Sequence, residues 1–302
     1  MGKIAFAFSG QGDQYPGMGK ELYESDPAAH AVFETCEALR PGTMAQCFEG
    51  SEEELKNTAN TQPCLFAMEL AAAAALKRAG ICPQMAAGFS LGEVAAASCA
   101  GLFGEETGFR LVCKRGELMQ QAAGGQETFM AAVVKLDAET VTALCGKFRR
   151  VYAVNFNCPG QTTVSGAAEE RGDFFEEVKK QGGRALPLKV SGAFHSPFMK
   201  EASEAFDAVL SKTECRAGVL PLYSNVTADV YGPDAARLLS KQICSPVRWE
   251  ALVRKMIADG ADTFIEIGPG KTLVNMIRKI DTSVKLYSVS ELPVLLSEVK
   301  PC

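Results

Sequence analysis

The sequence predicts an α/β protein: a parallel-sheet core into which a small unit of order βαββαβ is inserted. Three observations carry this. Short apolar runs alternate with longer helical patterns through the first third of the chain. Gly88-Phe89-Ser90-Leu91-Gly92 lies between an apolar run and an Ala-rich helical pattern, the strand–turn–helix setting of a nucleophile elbow. After Gly124-Gly125 the order becomes strand, helix, strand, strand, helix, strand, over 128–191.

The elements follow in order. A strand at 3–8 enters the turn Ser9-Gly10-Gln11-Gly12. Helices at 27–39, 51–57 and 62–79 precede the elbow strand at 81–87, and helices at 91–100 and 105–122 follow it. In the inserted unit, strands at 128–135, 151–156, 162–165 and 184–190 are joined by helices at 138–147 and 167–181. Asn157-Cys158-Pro159-Gly160-Gln161 turns the middle pair, with Pro and Gly in turn positions. The core resumes with a helix at 197–211, a strand at 221–226, helices at 233–241 and 246–259, a strand at 263–267 and a helix at 271–279. The last dozen residues read as a tail with one short apolar run. The bounds are a large α/β-hydrolase-like catalytic subdomain, 1–126 and 196–302, and a small ferredoxin-like subdomain, 127–195.

Composition excludes several classes. In 302 residues, 47 % hydrophobic content and 22 % charge are ordinary for a globular enzyme. A net charge of −5 gives no general attraction to nucleic acid or anionic membranes. The apolar stretch from Leu65 to Leu76 contains Glu69 and is too short to span a bilayer. No targeting segment is visible, so a cytoplasmic protein is expected. The 11 cysteines form no C-x-x-C pair, which suits reduced, mostly buried thiols. With two histidines in the chain, no metal cluster has the right spacing, and no metal or other cofactor is expected.

Ser90 is the candidate nucleophile, with the Leu91 N–H at the helix start facing a developing oxyanion. His30 sits in the first turn of a surface helix. His195, in the loop Ser191-Gly192-Ala193-Phe194-His195-Ser196-Pro197, lies where the two subdomains meet. It is the candidate base, with no evident third acid, so the pair reads as a dyad. Arg115, mid-helix, reads in isolation as a surface or salt-bridging residue. If its helix packs beside the elbow, its fork can clamp a carboxylate. Gly268-Pro269-Gly270-Lys271-Thr272 is not a phosphate loop, because Ile265 stands where the first glycine belongs. Gly10-Gln11-Gly12 is not a dinucleotide fingerprint, because Tyr15 stands where the third glycine belongs.

Seven ordered blocks resemble a known family. They are Phe8-Ser9-Gly10-Gln11-Gly12, Gly88 to Glu93, Arg115 to Gln120, Asn157 to Gln161 with Ser165-Gly166, Gly192 to Pro197, Gln242 with Pro246-Val247-Arg248-Trp249, and Glu266 to Gly270. The set is similar to malonyl-CoA:acyl carrier protein transacylases and polyketide acyltransferase domains, over about residues 3–280. The resemblance implies a ping-pong transfer from malonyl-CoA to the phosphopantetheine thiol of holo acyl carrier protein. Ser90 and His195 would be catalytic, and the Gln11 and Leu91 N–H groups would hold the oxyanion. Arg115 would bind the malonyl carboxylate, Gln242 would support the histidine, and Asn157 would line the cleft. Phe194 matches the malonyl-type signature, and its ring should crowd a methyl at the α-carbon. One position departs: the family usually has His before the serine, and here Phe89 offers packing without a hydrogen bond.

Three other readings share these residues. An acyl hydrolase would use the same dyad, but Arg115 would be left unpaired by a neutral acyl chain. A freestanding acyltransferase serving a polyketide synthase differs only in its carrier. An inactive scaffold that binds carrier protein conflicts with the intact Ser90, His195 and Arg115.

Overall fold

The computed structural model describes residues 2–190 and 192–299. Met1, Ser191 and residues 300–302, including those ends of the expected subdomains, lie outside the described residues. The chain starts with β1 (Lys3–Phe8), α1 (Lys20–Ser25), α2 (Pro27–Leu39), α3 (Thr43–Glu49), α4 (Glu52–Lys56) and α5 (Thr58–Arg78). The elbow follows: β2 (Met85–Gly88), α6 (Gly92–Cys99) and α7 (Glu105–Ala123). Next come β3 (Thr128–Val134), α8 (Ala138–Cys145), β4 (Val151–Cys158), β5 (Gln161–Ala167), α9 (Arg171–Lys180) and β6 (Arg184–Pro187). The chain closes with α10 (Lys200–Leu210), β7 (Leu222–Tyr223), α11 (Ala235–Lys241), α12 (Trp249–Ala258), β8 (Ala261–Ile267), α13 (Thr272–Ile280), β9 (Lys285–Ser288) and α14 (Leu292–Glu298).

The first sheet has the order β7-β2-β1-β8-β9 and is parallel throughout. Side chains alternate across a strand, and β1 uses both faces. Phe6 and Phe8 enter one core with Leu65 and Phe66 of α5 and Val94 of α6. Ala5 and Ala7 enter the other, with Trp249 and Leu252 of α12 and Ile277 of α13. Burial on two faces is the usual state of a parallel sheet. From β1 the connection runs to β2 on one side, whereas β8 pairs on the other. The loops at the C-terminal ends of these strands therefore border a switch point, where α/β sheets bind ligands.

The second sheet is antiparallel with order β4-β5-β3-β6. Phe129 and Val133 of β3 pack with Val141 of α8 and with Phe174 and Val178 of α9 in a separate core. The pairing of β4 with β5 shifts register between Ala153 and Asn155 and again between Phe156 and Cys158. Such bulges re-aim side chains.

Several elements depart from expectation. The strand expected at 81–87 is Met85–Gly88, and Pro83, without an N–H, cannot extend the ladder. The strand expected at 184–190 stops at Pro187, which offers no N–H, although the Leu188 N–H still donates to the Met130 oxygen at 2.9 Å. Helix α1 has no buried residue and so no apolar periodicity to read. The expected tail instead carries α14, and before it, where no element is expected, lies β9; Thr263 through Glu266 pair with Lys285 through Ser288. Among the described residues, no helix is long and apolar enough to cross a membrane.

Gly92 packs α6 against β1: a Cβ there would lie 2.2 Å from the Ser9 oxygen and 2.4 Å from the Phe8 oxygen. Gly92→Ala is expected to cost about 3 kcal/mol or more by forcing backbone apart. At Gly104 a Cβ would meet nothing within 4 Å, so Gly104→Ala should stay within about 1 kcal/mol of the parent. Chemical denaturation of the two variants checks this contrast.

Candidate active site

The elbow places Ser90 between β2 and α6 with a φ of 56°, left-handed backbone that costs a non-glycine residue about 1–3 kcal/mol. Side chains hold it there. The Ser90 N–H donates to Asn225 Oδ1 at 2.9 Å, Asn225 Nδ2 donates to the Gly88 oxygen at 2.7 Å, and Gln242 Nε2 donates to the Ser90 oxygen at 2.6 Å. Gly88 and Gly92 face each other, and a Cβ on Gly88 would strike the Gly92 backbone at 1.9 Å. Only glycine lets the turn close this tightly.

His195 is also left-handed, with φ 60°. Its N–H donates to the Ile243 oxygen at 3.1 Å. Its ring spans two partners: Nδ1 is 2.9 Å from the Gln242 main-chain oxygen, and Nε2 is 2.8 Å from Ser90 Oγ. A carbonyl only accepts, so Nδ1 carries the hydrogen and Nε2 is the acceptor for the Ser90 hydroxyl. Burial, reinforced by the Arg115 charge, pushes the imidazole down to about 4. It is therefore a neutral base at physiological pH.

Arg115 on α7 is fully buried; it is not the surface residue that its local sequence suggests. Gly116 lets α7 approach α5, since a Cβ there would lie 3.0 Å from the Thr58 oxygen. Nη1 donates to Gln62 Oε1 at 2.7 Å, and Nη2 donates to Gln242 Oε1 at 2.7 Å and to Ser90 Oγ at 3.2 Å. Nε is buried with no partner among the described residues. Burial brings the guanidinium down to about 10, so it stays cationic at neutral pH, and each of these acceptors is a neutral oxygen. A buried cation so held has spare donors for an anion.

Behind these groups sits Glu93, fully buried in the first turn of α6. Its Oε1 accepts from the Asn225 N–H at 2.9 Å and the Tyr231 hydroxyl at 2.6 Å, and its Oε2 accepts from Gln242 Nε2 at 2.7 Å. Burial pushes the carboxyl up to about 7, opposed by these donors and by Arg115.

Beside the elbow, against Phe89, lies a cleft of about 250 Å³ with walls from both the large and the small unit. Gly10, Gln11, Phe89, Asn155, Asn157 and Leu188 are among its walls. Neither the Gln11 nor the Leu91 N–H has a protein acceptor among the described residues. The Oδ1 atoms of Asn155 and Asn157 are buried there without partners. A larger cavity of about 730 Å³ is lined by Val219, Val230 and Tyr231. Phe194 is buried beside His195, and Phe89 packs edge-on against Trp249 with ring centroids 5.6 Å apart. At the Gly268-Pro269-Gly270 turn, Glu266 accepts from the Leu273 and Val274 N–H groups at 3.1 and 2.7 Å. A carboxylate thus occupies the helix start where a phosphate loop would hold its ligand. His30 stacks on Tyr23, with ring centroids 4.3 Å apart.

Residues 5–294 match the family model described as acyl transferase domain. This chain belongs to the acyl transferase family. It is 42 % identical over 300 residues to the malonyl CoA-acyl carrier protein transacylase of Bacillus subtilis (strain 168), covering 96 % of this chain and 94 % of that one. A solved malonyl CoA-acyl carrier protein transacylase from Clostridium perfringens is 34 % identical with a TM-score of 0.94, covering 98 % of this chain and 96 % of that one. A malonyl-transacylase solved in complex with its type II polyketide acyl-carrier protein is 31 % identical, TM-score 0.94, covering 98 % of this chain and 100 % of that one.

The fold of this acyl transferase joins Ser90, His195, Arg115 and Gln242 in one hydrogen-bonded cluster, with Leu91 next to Ser90 in the chain, and puts Gln11 and Asn157 in the wall of the neighbouring cleft. Sequence reasoning gave no role to Gln62, Glu93, Asn225 or Tyr231. Two of them carried a signal: Gln62 opens an otherwise apolar helical stretch, and Glu93 opens an Ala-rich one.

The shift at His195 predicts a pH effect on stability. The unfolded chain takes up a proton near 6.5, whereas the native ring waits until about 4. Stability from this residue is therefore lost as pH falls through that window. Between about pH 7 and about pH 5 the loss is about 2 kcal/mol. His195→Asn keeps a residue that tolerates positive φ, and denaturation at both pH values should show it losing that much less than the parent.

Proposed function

We propose that this acyl transferase moves a malonyl group from malonyl-CoA to the phosphopantetheine thiol of holo acyl carrier protein through a malonyl ester of Ser90. The observation that carries the reading is Arg115: a buried guanidinium with neutral partners, 3.2 Å from the nucleophile oxygen. An acyl group ending in a carboxylate supplies the missing countercharge.

In the first half-reaction the Ser90 proton passes to His195 Nε2 as Oγ adds to the thioester carbonyl. The Gln11 and Leu91 N–H groups receive the oxyanion. The C–S bond then breaks, and the CoA sulfur takes the proton from Nε2. In the second half the carrier thiol gives its proton to Nε2, its sulfur adds to the ester carbonyl, and Ser90 Oγ leaves with that proton. The Gln242 main-chain oxygen holds the imidazole in the tautomer that both halves need. Asn157 lines the small-unit wall, and the Phe194 ring crowds a branched α-carbon.

We read residues 1–126 and 196–302 as a hydrolase-like catalytic subdomain, and 127–195 as a ferredoxin-like one whose strand order is β4-β5-β3-β6. The likeness to a malonyl-transacylase in complex with a polyketide carrier favours, as a second reading, service to polyketide assembly with the same residue roles. All ten described cysteines are free, which supports work in a reducing, cytoplasmic setting.

Intact mass after mixing with malonyl-CoA should show one malonyl adduct that transfers to added holo carrier protein. Ser90→Ala should show none; an adduct that persists would refute the ester. Arg115→Ala should lose malonyl loading about a hundredfold while loading of acetyl-CoA holds or rises. Rates measured by rapid quench decide this, and unchanged malonyl loading would reject the clamp.

A further inference from the structure

Gln242 does three things at once. Its main-chain oxygen fixes the His195 tautomer, its Oε1 accepts from Arg115, and its Nε2 donates to both the Ser90 oxygen and Glu93. A carboxamide rotated by half a turn would exchange its oxygen and nitrogen. It would then turn an N–H toward the guanidinium and an oxygen toward the Ser90 carbonyl. The donor-only Arg115 and the accept-only Ser90 oxygen, which also accepts from the Glu93 N–H at 3.1 Å, favour the observed orientation, and Glu93 adds an ionised acceptor to that choice.

Glu93 is the strong arbiter. An ionised carboxylate only accepts. Its three partners are all donors: Asn225 N–H, Tyr231 hydroxyl and Gln242 Nε2. The same carboxylate meets Arg115 only through the intervening Gln242 amide. Direct pairing would fill the guanidinium with a permanent anion and leave nothing for an acyl carboxylate.

We propose that Glu93 is the positioning residue that sets acyl selectivity: it locks the Gln242 amide so that a neutral oxygen, and not a carboxylate, rests on Arg115. The proposal rests on the malonyl reading above. Glu93 touches no reacting atom and acts through Gln242.

The test is Glu93→Gln, which keeps the shape and removes the charge. A glutamine there must turn an N–H toward either Gln242 Nε2 or the Asn225 N–H, so Gln242 faces either a donor or, at the cost of the Asn225 bond, a neutral acceptor in place of a charged one, and the lock is weakened. Single-turnover acylation of Ser90 by malonyl-CoA and by acetyl-CoA, followed by intact mass, gives the ratio of the two rates. The ratio is expected to fall about tenfold or more, the worth of a hydrogen bond to a charged group. A variant that keeps the parent ratio, or slows both donors equally, overturns the proposal, because a purely structural role affects both alike.

The unaltered protein supplies a second measurement that does not depend on the variant folding. Protonating Glu93 turns one of its oxygens into a donor and releases the same lock. The other titratable groups facing it are Arg115 and Tyr231, with His195 one hydrogen bond beyond. Burial and these neighbours put Glu93 at about 7, Arg115 at about 10 and His195 at about 4, and push Tyr231 well above its usual range. Of these four, only Glu93 changes charge between about pH 8 and about pH 6. The malonyl-to-acetyl ratio should drop across that interval in the parent and stay flat in Glu93→Gln. A flat parent ratio overturns the proposal. Absence of any malonyl adduct on the parent would instead reject the malonyl reading itself, so the two failures are distinguishable.

Discussion

Removing the Arg115 guanidinium from water is the constraint around which the site is arranged. Its burial costs several kcal/mol, and a folded protein usually offsets such a cost with a carboxylate in contact. Here the contacts are the amide oxygens of Gln62 and Gln242 and the Ser90 hydroxyl. The nearest acid, Glu93, is held one amide away by donors from Asn225, Tyr231 and Gln242. Each of these polar residues is individually expensive to bury, and together they satisfy one another. The charge remains available because its countercharge is near but not touching.

The same residues brace the backbone. Ser90 and His195 both occupy left-handed conformations, and each is tied at its backbone: Ser90 by Asn225 and Gln242, His195 by Ile243. Strain of this kind persists only where the surroundings over-determine it. The surroundings are supplied by segments far apart in the chain. The switch point of the parallel sheet presents the elbow, and the loop leaving the antiparallel unit delivers the histidine. The close approach of α7 to α5 delivers the arginine. Residues separated by as many as 152 positions meet at Ser90.

Much of this is legible in the sequence because local chemistry dictates it. Two glycines around Ser90, an Ala-rich helix after it and alternating Ala and Phe in β1 each have one physical solution. The βαββαβ order shows in the turn chemistry of Asn157 to Gln161 and in the helical periodicity on either side. Arg115 was legible as a carboxylate clamp only on the condition that its helix packs beside the elbow, because burial is a property of the α5–α7 packing and not of its own neighbours in the chain. Glu93 and Tyr231 escaped for a related reason: each is explained only by partners 132 and 138 residues away. The ends of strands were misplaced where proline removes a donor, and β9 was missed because Lys285-Leu286-Tyr287-Ser288 has no apolar run and forms through its pairing with β8.

The histidine leans on a main-chain carbonyl at 2.9 Å and not on a carboxylate. The carbonyl orients the ring, while burial and the Arg115 charge oppose the imidazolium, so the base is weak. Weak bases sort nucleophiles by acidity. A thiol with a pKa of about 8.5 surrenders its proton to such a base far more readily than water, at about 15.7. The burial that makes His195 a poor proton acceptor would thus give the proposed acyl-serine ester a longer lifetime in water than beside a thiol. Chemical timing, and not only exclusion of solvent, keeps the acyl group for its carrier.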